Sequence, residues 1–400
     1  MEKFIQKHFK NRINTNSSKW DNLPARFGGD DNLLAMWVAD MEFSTADEIK
    51  DALKERIDHG IFGYSLTPDE YFKSFFAWMK SRHNVELKKE WIRFNLGVVN
   101  SIYHLVNLFT KENEAILIMS PVYYPFANSV KDNKRKLIEN DLIYDEKTAE
   151  FSINYESLEQ DIVKNNVKMV IFCSPHNPVG RIWDENELKK CFDIFKKHKV
   201  LVLCDEIHQD FYYKKPFKSI LALENAKDYF ENLIVLNAAS KTFNLACLLN
   251  SHIIIPNENL RKIYDEFATR FNQIETNILG QLATQVAYEK AGYWLDKVKE
   301  IIYSNYETIK AEFAKNPHTK DIIISPLEGT YLLFLNFSKV VNEDRMKEFI
   351  QKDCKIAIDY GDWFGANYKA FIRLNLATNK EHINEFINRI ITNLSKKNYK

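Results

Sequence analysis

Apolar positions along the chain follow two rhythms. Short, β-branched runs at 115–120, 167–174, 199–205, 232–238 and 251–256 are apolar at nearly every position, as expected of strands covered on both faces in a parallel sheet. Between them, 155–166 and 184–198 space their apolar residues at helical intervals with charges on the opposite face. Strand and helix alternating in this way predict an α/β layer with crossover connections. The character then changes: a long helical stretch at 258–315 precedes apolar runs at 329–337, 355–361 and 369–377 and a closing helix. These predict a smaller α+β unit. The expected division is an N-terminal segment, 1–45, that joins the small unit, a large domain over 46–285 and a small C-terminal domain over 286–400.

Length supports more than one unit, because 400 residues exceed the size at which a single core stops growing. The 55 basic and 55 acidic side chains cancel, which removes the electrostatic footprint of a nucleic-acid or anionic-membrane binder and favours a small neutral or zwitterionic ligand. Cys173, Cys191, Cys204, Cys247 and Cys354 are odd in number and widely spaced, the pattern of neither a disulfide framework nor a metal cluster. No metal is expected. The first twenty residues are interrupted by charges, and no run reaches bilayer-spanning length, so the expectation is a soluble cytoplasmic protein.

Reactive side chains cluster just beyond the predicted strand ends. In open α/β sheets ligands collect at that edge. Asn177 follows one strand in "SPHNPVG", Asp205 and His208 follow another in "LCDEIH", and Ser240 and Lys241 follow a third in "LNAASK". Each has an ordinary alternative: a turn asparagine, a helix cap, a partly buried histidine, a lysine reaching for solvent. Four such alternatives at a single edge are harder to sustain together. An amine, a carboxylate and a hydroxyl in one place suit pyridoxal phosphate, whose aldehyde takes a lysine and whose ring nitrogen takes an acid. Upstream, "NLGVVNSIYHLVNLF" reads as a glycine turn entering a helix. There the amides of Val99, Asn100 and Ser101 would meet a phosphate.

The motifs then carry a resemblance. "MWVADMEF", "GIFGYS", "GVVNSI", "SPVYYPF", "SPHNPVGRIW", "DEIHQD", "SKTFNLA", "GTYLLFLNF" and "FIRLNLA" occur in this order over nearly the whole chain. It resembles the fold-type I pyridoxal-phosphate enzymes of the aspartate aminotransferase superfamily, and among them the MalY/PatB-type cystathionine β-lyases. The resemblance implies a large domain with a mainly parallel central sheet flanked by helices, plus a smaller α+β domain. It implies Lys241 as the cofactor lysine and catalytic base, Asp205 at the pyridine nitrogen, Asn177 at the phenolic oxygen, His208 beside the ring, Tyr123 stacked on it and Ser240 at the phosphate. Tyr64 would reach the phosphate of a neighbouring subunit and act in catalysis there, which implies a homodimer with shared sites. Arg373 would bind the substrate carboxylate, with Ala39, Asp40, Tyr123 and Asn177 bordering it.

Some positions depart from the family pattern. Asn100 and Ser101 stand where proline and a small residue are expected, Cys247 replaces a common glycine, and "GANYKAFIRLN" replaces a glycine-rich approach to the arginine. A further phosphate-binding arginine after the lysine is missing, in keeping with the lyase subgroup. The implied reaction is α,β-elimination from L-cystathionine or another cysteine S-conjugate to a thiol, pyruvate and ammonia. Two alternatives stay open, an aminotransferase and a cofactor-binding regulator that acts through a protein partner.

Overall fold

The structure is a computed structural model that describes residues 1–29, 32–273 and 276–400. Seven strands build the principal sheet: β1 (Ile92–Asn95), β2 (Ala115–Ser120), β3 (Lys136–Asp141), β4 (Met169–Cys173), β5 (Leu201–Asp205), β6 (Leu233–Asn237) and β7 (Ser251–Ile254). Their spatial order is β1-β7-β6-β5-β4-β2-β3. Neighbours pair in parallel except at β7, which runs antiparallel to both β1 and β6. β1 therefore points the same way as the parallel strands, and its carboxyl end opens on the same edge.

The central strands explain their own position. Every residue of β2, β4 and β6 is buried, which a strand tolerates only when helices cover both faces. Tyr155–Asn165 and Glu185–Lys197 are among those helices. The second starts at Asp184, whose side chain accepts from Glu187 N–H while the Glu187 side chain accepts from Asp184 N–H; this reciprocal cap sets the start of the helix within one residue.

The smaller sheet comprises β8 (Ile323–Ile324), β9 (Leu332–Asn336), β10 (Asp359–Tyr360) and β11 (Phe371–Asn375), ordered β8-β9-β11-β10 and antiparallel throughout. The N-terminal segment adds Leu34–Ala35, paired in parallel with Ile356–Ala357. That pairing carries residues 36–41 to the space between the two sheets. The helical stretch expected over 258–315 is three helices, Glu258–Arg270, Ile278–Lys290 and Gly292–Lys315. Asn277 restarts the second by accepting from the N–H groups of Leu279 and Gly280. Among the described residues no helix is long and apolar enough to cross a membrane.

Candidate functional site

Five strand ends deliver the site. Beyond β1 comes Gly97 and the helix Val98–Phe109, beyond β2 the turn with Tyr123, and beyond β4 the turn with Asn177. Asp205 is the last residue of β5, with His208 three residues on, and the short helix Ala239–Thr242 after β6 carries Ser240 and Lys241. Cross-links hold the edge in register: Ser174 N–H donates to Asp205 O at 3.0 Å and Tyr123 N–H to Asn177 O at 3.0 Å. The groups surround a cavity of about 250 Å3 that Ala39, Val99, Asn100, Tyr123, Asn177, Asp205, His208, Ser240 and Lys241 all face. A wider groove of about 760 Å3 is bordered by exposed lysines such as Lys214, Lys310 and Lys320. It lacks the convergence of amine, carboxylate and amide.

Burial dominates the electrostatics of the cavity. Lys241 Nζ donates to Ala39 O at 2.8 Å. Its pKa is pulled down to about 8, chiefly by burial and further by Arg373, with Asp40 and Asp205 opposing. Asp205 is pushed up to about 7 by burial, against the Ile207 N–H bond and the Lys241 charge. Burial likewise holds His208 well below its ordinary value, helped by the charges of Lys241 and Arg373. Its Nδ1 is buried with no hydrogen-bond partner, and the ring lies edge-on to Tyr331 at 5.5 Å. The Tyr123 hydroxyl is pushed up by burial and stays protonated.

These features fit pyridoxal phosphate. Asp205 keeps a buried carboxyl with one backbone N–H on Oδ1, and His208 has an unpartnered buried ring nitrogen; a heteroaromatic ring would supply a further polar partner in this space. At the other end of the cavity the helix Val98–Phe109 has no side-chain cap. A Cβ built on Gly97 meets nothing within 4 Å, which leaves room for a phosphate against the helix start. The amides left free at this helix start differ by one residue from those expected. Ser101 N–H already donates to Gly97 O at 2.9 Å, and the Ser101 hydroxyl donates to the same oxygen at 3.0 Å. The helix begins at Val98, so its fourth amide is consumed internally and the available amides are those of Val98, Val99 and Asn100.

Three other expected residues lie off the cavity wall. Tyr64 is 95% exposed in the irregular stretch before the helix Asp69–His83. Asp40 turns its carboxylate to Arg12 Nη2 at 2.7 Å, and its carbonyl accepts from Asn375 Nδ2 at 2.6 Å. Arg373 is buried behind Asn177, donating from Nη1 to Asn177 Oδ1 at 3.1 Å and from Nη2 to Trp37 O at 3.2 Å and to Asp359. Asp359 and Tyr331 are the neighbours that sequence reasoning passed over. An acid inside the apolar run "KIAIDYG" was the available signal for the first. Tyr331, whose hydroxyl donates to Ala39 O at 2.8 Å, lies in a run that reads as plain core.

Comparison with known proteins follows the same line. The family model of aminotransferase class I and II matches residues 33–390. The chain is 34% identical to cystathionine beta-lyase PatB of Bacillus subtilis over 96% of its own length and 98% of PatB, and 27% identical to protein MalY of Escherichia coli over 91% and 92%. Cystalysin of Treponema denticola, whose crystal structure contains a pyridoxal 5'-phosphate cofactor, superposes with a TM-score of 0.90 at 32% identity, covering 97% of this chain and 98% of cystalysin. By the extent of these matches and the shared fold, the chain belongs to the aminotransferase class I and II family.

Proposed function

We propose that the chain is a pyridoxal-phosphate-dependent carbon–sulfur β-lyase that cleaves L-cystathionine or another cysteine S-conjugate to a thiol, pyruvate and ammonia. The observation that carries the proposal is the meeting of a partly buried Lys241 and a buried Asp205 at one strand edge, each shifted toward its uncharged form. Likeness to cystathionine beta-lyase PatB supports the carbon–sulfur assignment, and likeness to cystalysin supports the cofactor. When bound, the cofactor supplies an aldehyde for amines and a ring that accepts electrons from the broken Cα–H bond.

The chain's own residues do the rest. Asp205 holds a proton at the ring nitrogen, Asn177 donates to the phenolic oxygen, Tyr123 offers its aromatic face, and Ser240 with the amides of Val98, Val99 and Asn100 holds the phosphate. Lys241 removes the Cα proton. A lysine near pH 8 rather than 10.5 suits the task, because a sizeable fraction of the amine is free at neutral pH. The same amine is placed to deliver a proton to the sulfur leaving Cβ. Arg373 anchors the substrate carboxylate, close to Ala39 and Asp40.

Tyr64 is 95% exposed and away from the cavity of its own chain. We place it in the phosphate site of a second subunit, so that the working form is a homodimer. Five free cysteines accord with a reducing cytoplasm. The deciding experiment is a panel of cysteine S-conjugates, cystathionine included, assayed for pyruvate and thiol with no 2-oxo acid added. Pyruvate without an amino acceptor supports the lyase; turnover only after a 2-oxo acid is supplied rejects it for an aminotransferase.

A further inference from the structure

We propose that Asp359 is an internal competitor for the substrate carboxylate and thereby sets the affinity of the Arg373 subsite. This rests on the reading of Arg373 as the carboxylate anchor. Arg373 on β11 and Asp359 on β10 are cross-strand partners, 2% and 1% exposed. Asp359 Oδ2 accepts from Arg373 Nη2, one of the nitrogens that a carboxylate ligand would use. Asn177 and Trp37 take further guanidinium donors, and the Phe364 ring lies 4.9 Å from its centre. So held, Arg373 does not face the cavity, although Asn177 beside it does.

The pair is made at one point only. Asp359 Oδ1 and Arg373 Nε are both buried and without a hydrogen-bond partner. Guanidinium and carboxylate forks match best with two parallel bonds, and each buried polar atom left over is costly. Elsewhere in the molecule a buried pair is closed. Glu42 holds Lys19 at 2.5 Å with both partners 1% exposed, and both of its oxygens also accept from Trp20 Nε1 at 3.2 Å. By contrast, a substrate carboxylate entering across Nε and Nη2 would satisfy the idle donor, provided that it displaces Asp359 from Nη2. Asp359 stays nearby throughout, because β10 is paired to β11 and a Cβ at Gly361 would come 2.0 Å from Tyr368 O, so the following turn is clamped. A tethered rival at fixed distance lowers the affinity for every carboxylate ligand without altering the groups that perform the chemistry.

The test compares Asp359→Asn with the wild-type holoenzyme, using the KM for S-methyl-L-cysteine and the inhibition constant of propionate, which has the carboxylate but no amine. Asparagine keeps an acceptor on Nη2 and removes the charge. Both constants should fall about tenfold, the worth of one charge-assisted hydrogen bond, with the change carried by KM rather than kcat. Arg373→Lys separates the two layers of the argument. If it leaves KM unchanged, the carboxylate-anchor reading fails. If it raises KM while Asp359→Asn leaves KM and propionate inhibition unchanged or weakens binding, the competitor proposal alone fails. Folding is checked by circular dichroism, with Asp359→Ser as a second variant; if neither folds, Asp359 is a structural counter-ion and the proposal is overturned.

Discussion

The two walls of the cavity treat charge in opposite ways. On the large-sheet wall, Lys241 reaches only a carbonyl, Asp205 accepts from a backbone amide, and His208 Nδ1 has no partner. All three are pushed by burial toward their neutral forms. On the small-sheet side, Arg373 lies behind the cavity lining and already has a carboxylate from its own chain. Buried polar groups without partners are tolerated where a ligand completes them. Under the proposed function, the first set of groups would serve a guest that stays and the second one that comes and goes.

Removing Lys241 breaks the first wall most completely. Lys241→Ala should lower pyruvate release by at least about a thousandfold, since base and cofactor attachment vanish together and a positioned base alone contributes 10²–10⁴-fold. It should also remove the visible absorbance band of the bound cofactor. Normal turnover by this variant would mean that the large-sheet wall is not where proton transfer occurs.

Asp205→Asn tests the same wall through rate and through pH. Loss of the carboxylate should cost about 10² in kcat, with weaker cofactor retention in dialysis. The cofactor-free chain offers a separate readout. Between pH 3.8 and about 7, folded Asp205 keeps a proton that the unfolded chain has lost, so stability falls as pH rises through that window. Glu206, pushed up to about 7 by burial, acts in the same sense. Lys241 has the opposite slope: between about 8 and 10.5 the folded amine has lost a proton that the unfolded chain keeps, and stability recovers as pH rises. His208, His176 and His252, held below their ordinary value by burial, oppose the acid-side fall, so the Asp205 share is read as the difference between the wild-type and Asp205→Asn thermal melt series. Asp205→Asn should flatten the acid-side slope by at most about 4 kcal/mol, leaving the Glu206 share. An unchanged slope would show that the carboxyl is solvated in the folded chain.

What could be read from the chain follows the same division. β2, β4, β5, β6 and β7 were legible because strands covered on both faces are apolar almost throughout. β3 was not, since "KLIEND" at the sheet edge exposes half of its residues and looks like a loop. Lys241, Asp205 and Asn177 stood out because a reactive side chain directly after an apolar strand has a known direction. The Ser101 amide, expected to be free, donates to Gly97 O instead, at a boundary that depends on where the helix's first internal bond closes. Asp359 showed in the sequence only as an acid inside an apolar run, without its partner. Its significance lies in being opposite Arg373 across two strands, and that register exists only once the sheet has formed.

Tyr331 joins the two walls and gives the finest test of their difference. It immediately precedes β9, on the small-sheet side, yet its hydroxyl donates to Ala39 O, the same carbonyl that holds the Lys241 amine. Burial keeps that hydroxyl protonated. With two donors on one acceptor, Tyr331 would keep the carbonyl fixed when Lys241 leaves it in the proposed reaction. Tyr331→Phe should leave the fold intact, because the ring still packs edge-on against Phe211 at 4.9 Å, and should cost roughly 1 kcal/mol for the lost hydrogen bond. The loss should appear as a three- to tenfold fall in kcat, about the rate equivalent of that energy, with little change in KM, since Arg373 is not touched. A loss confined to KM would instead assign Tyr331 to the substrate wall, and the division between the walls would have to be redrawn through Ala39.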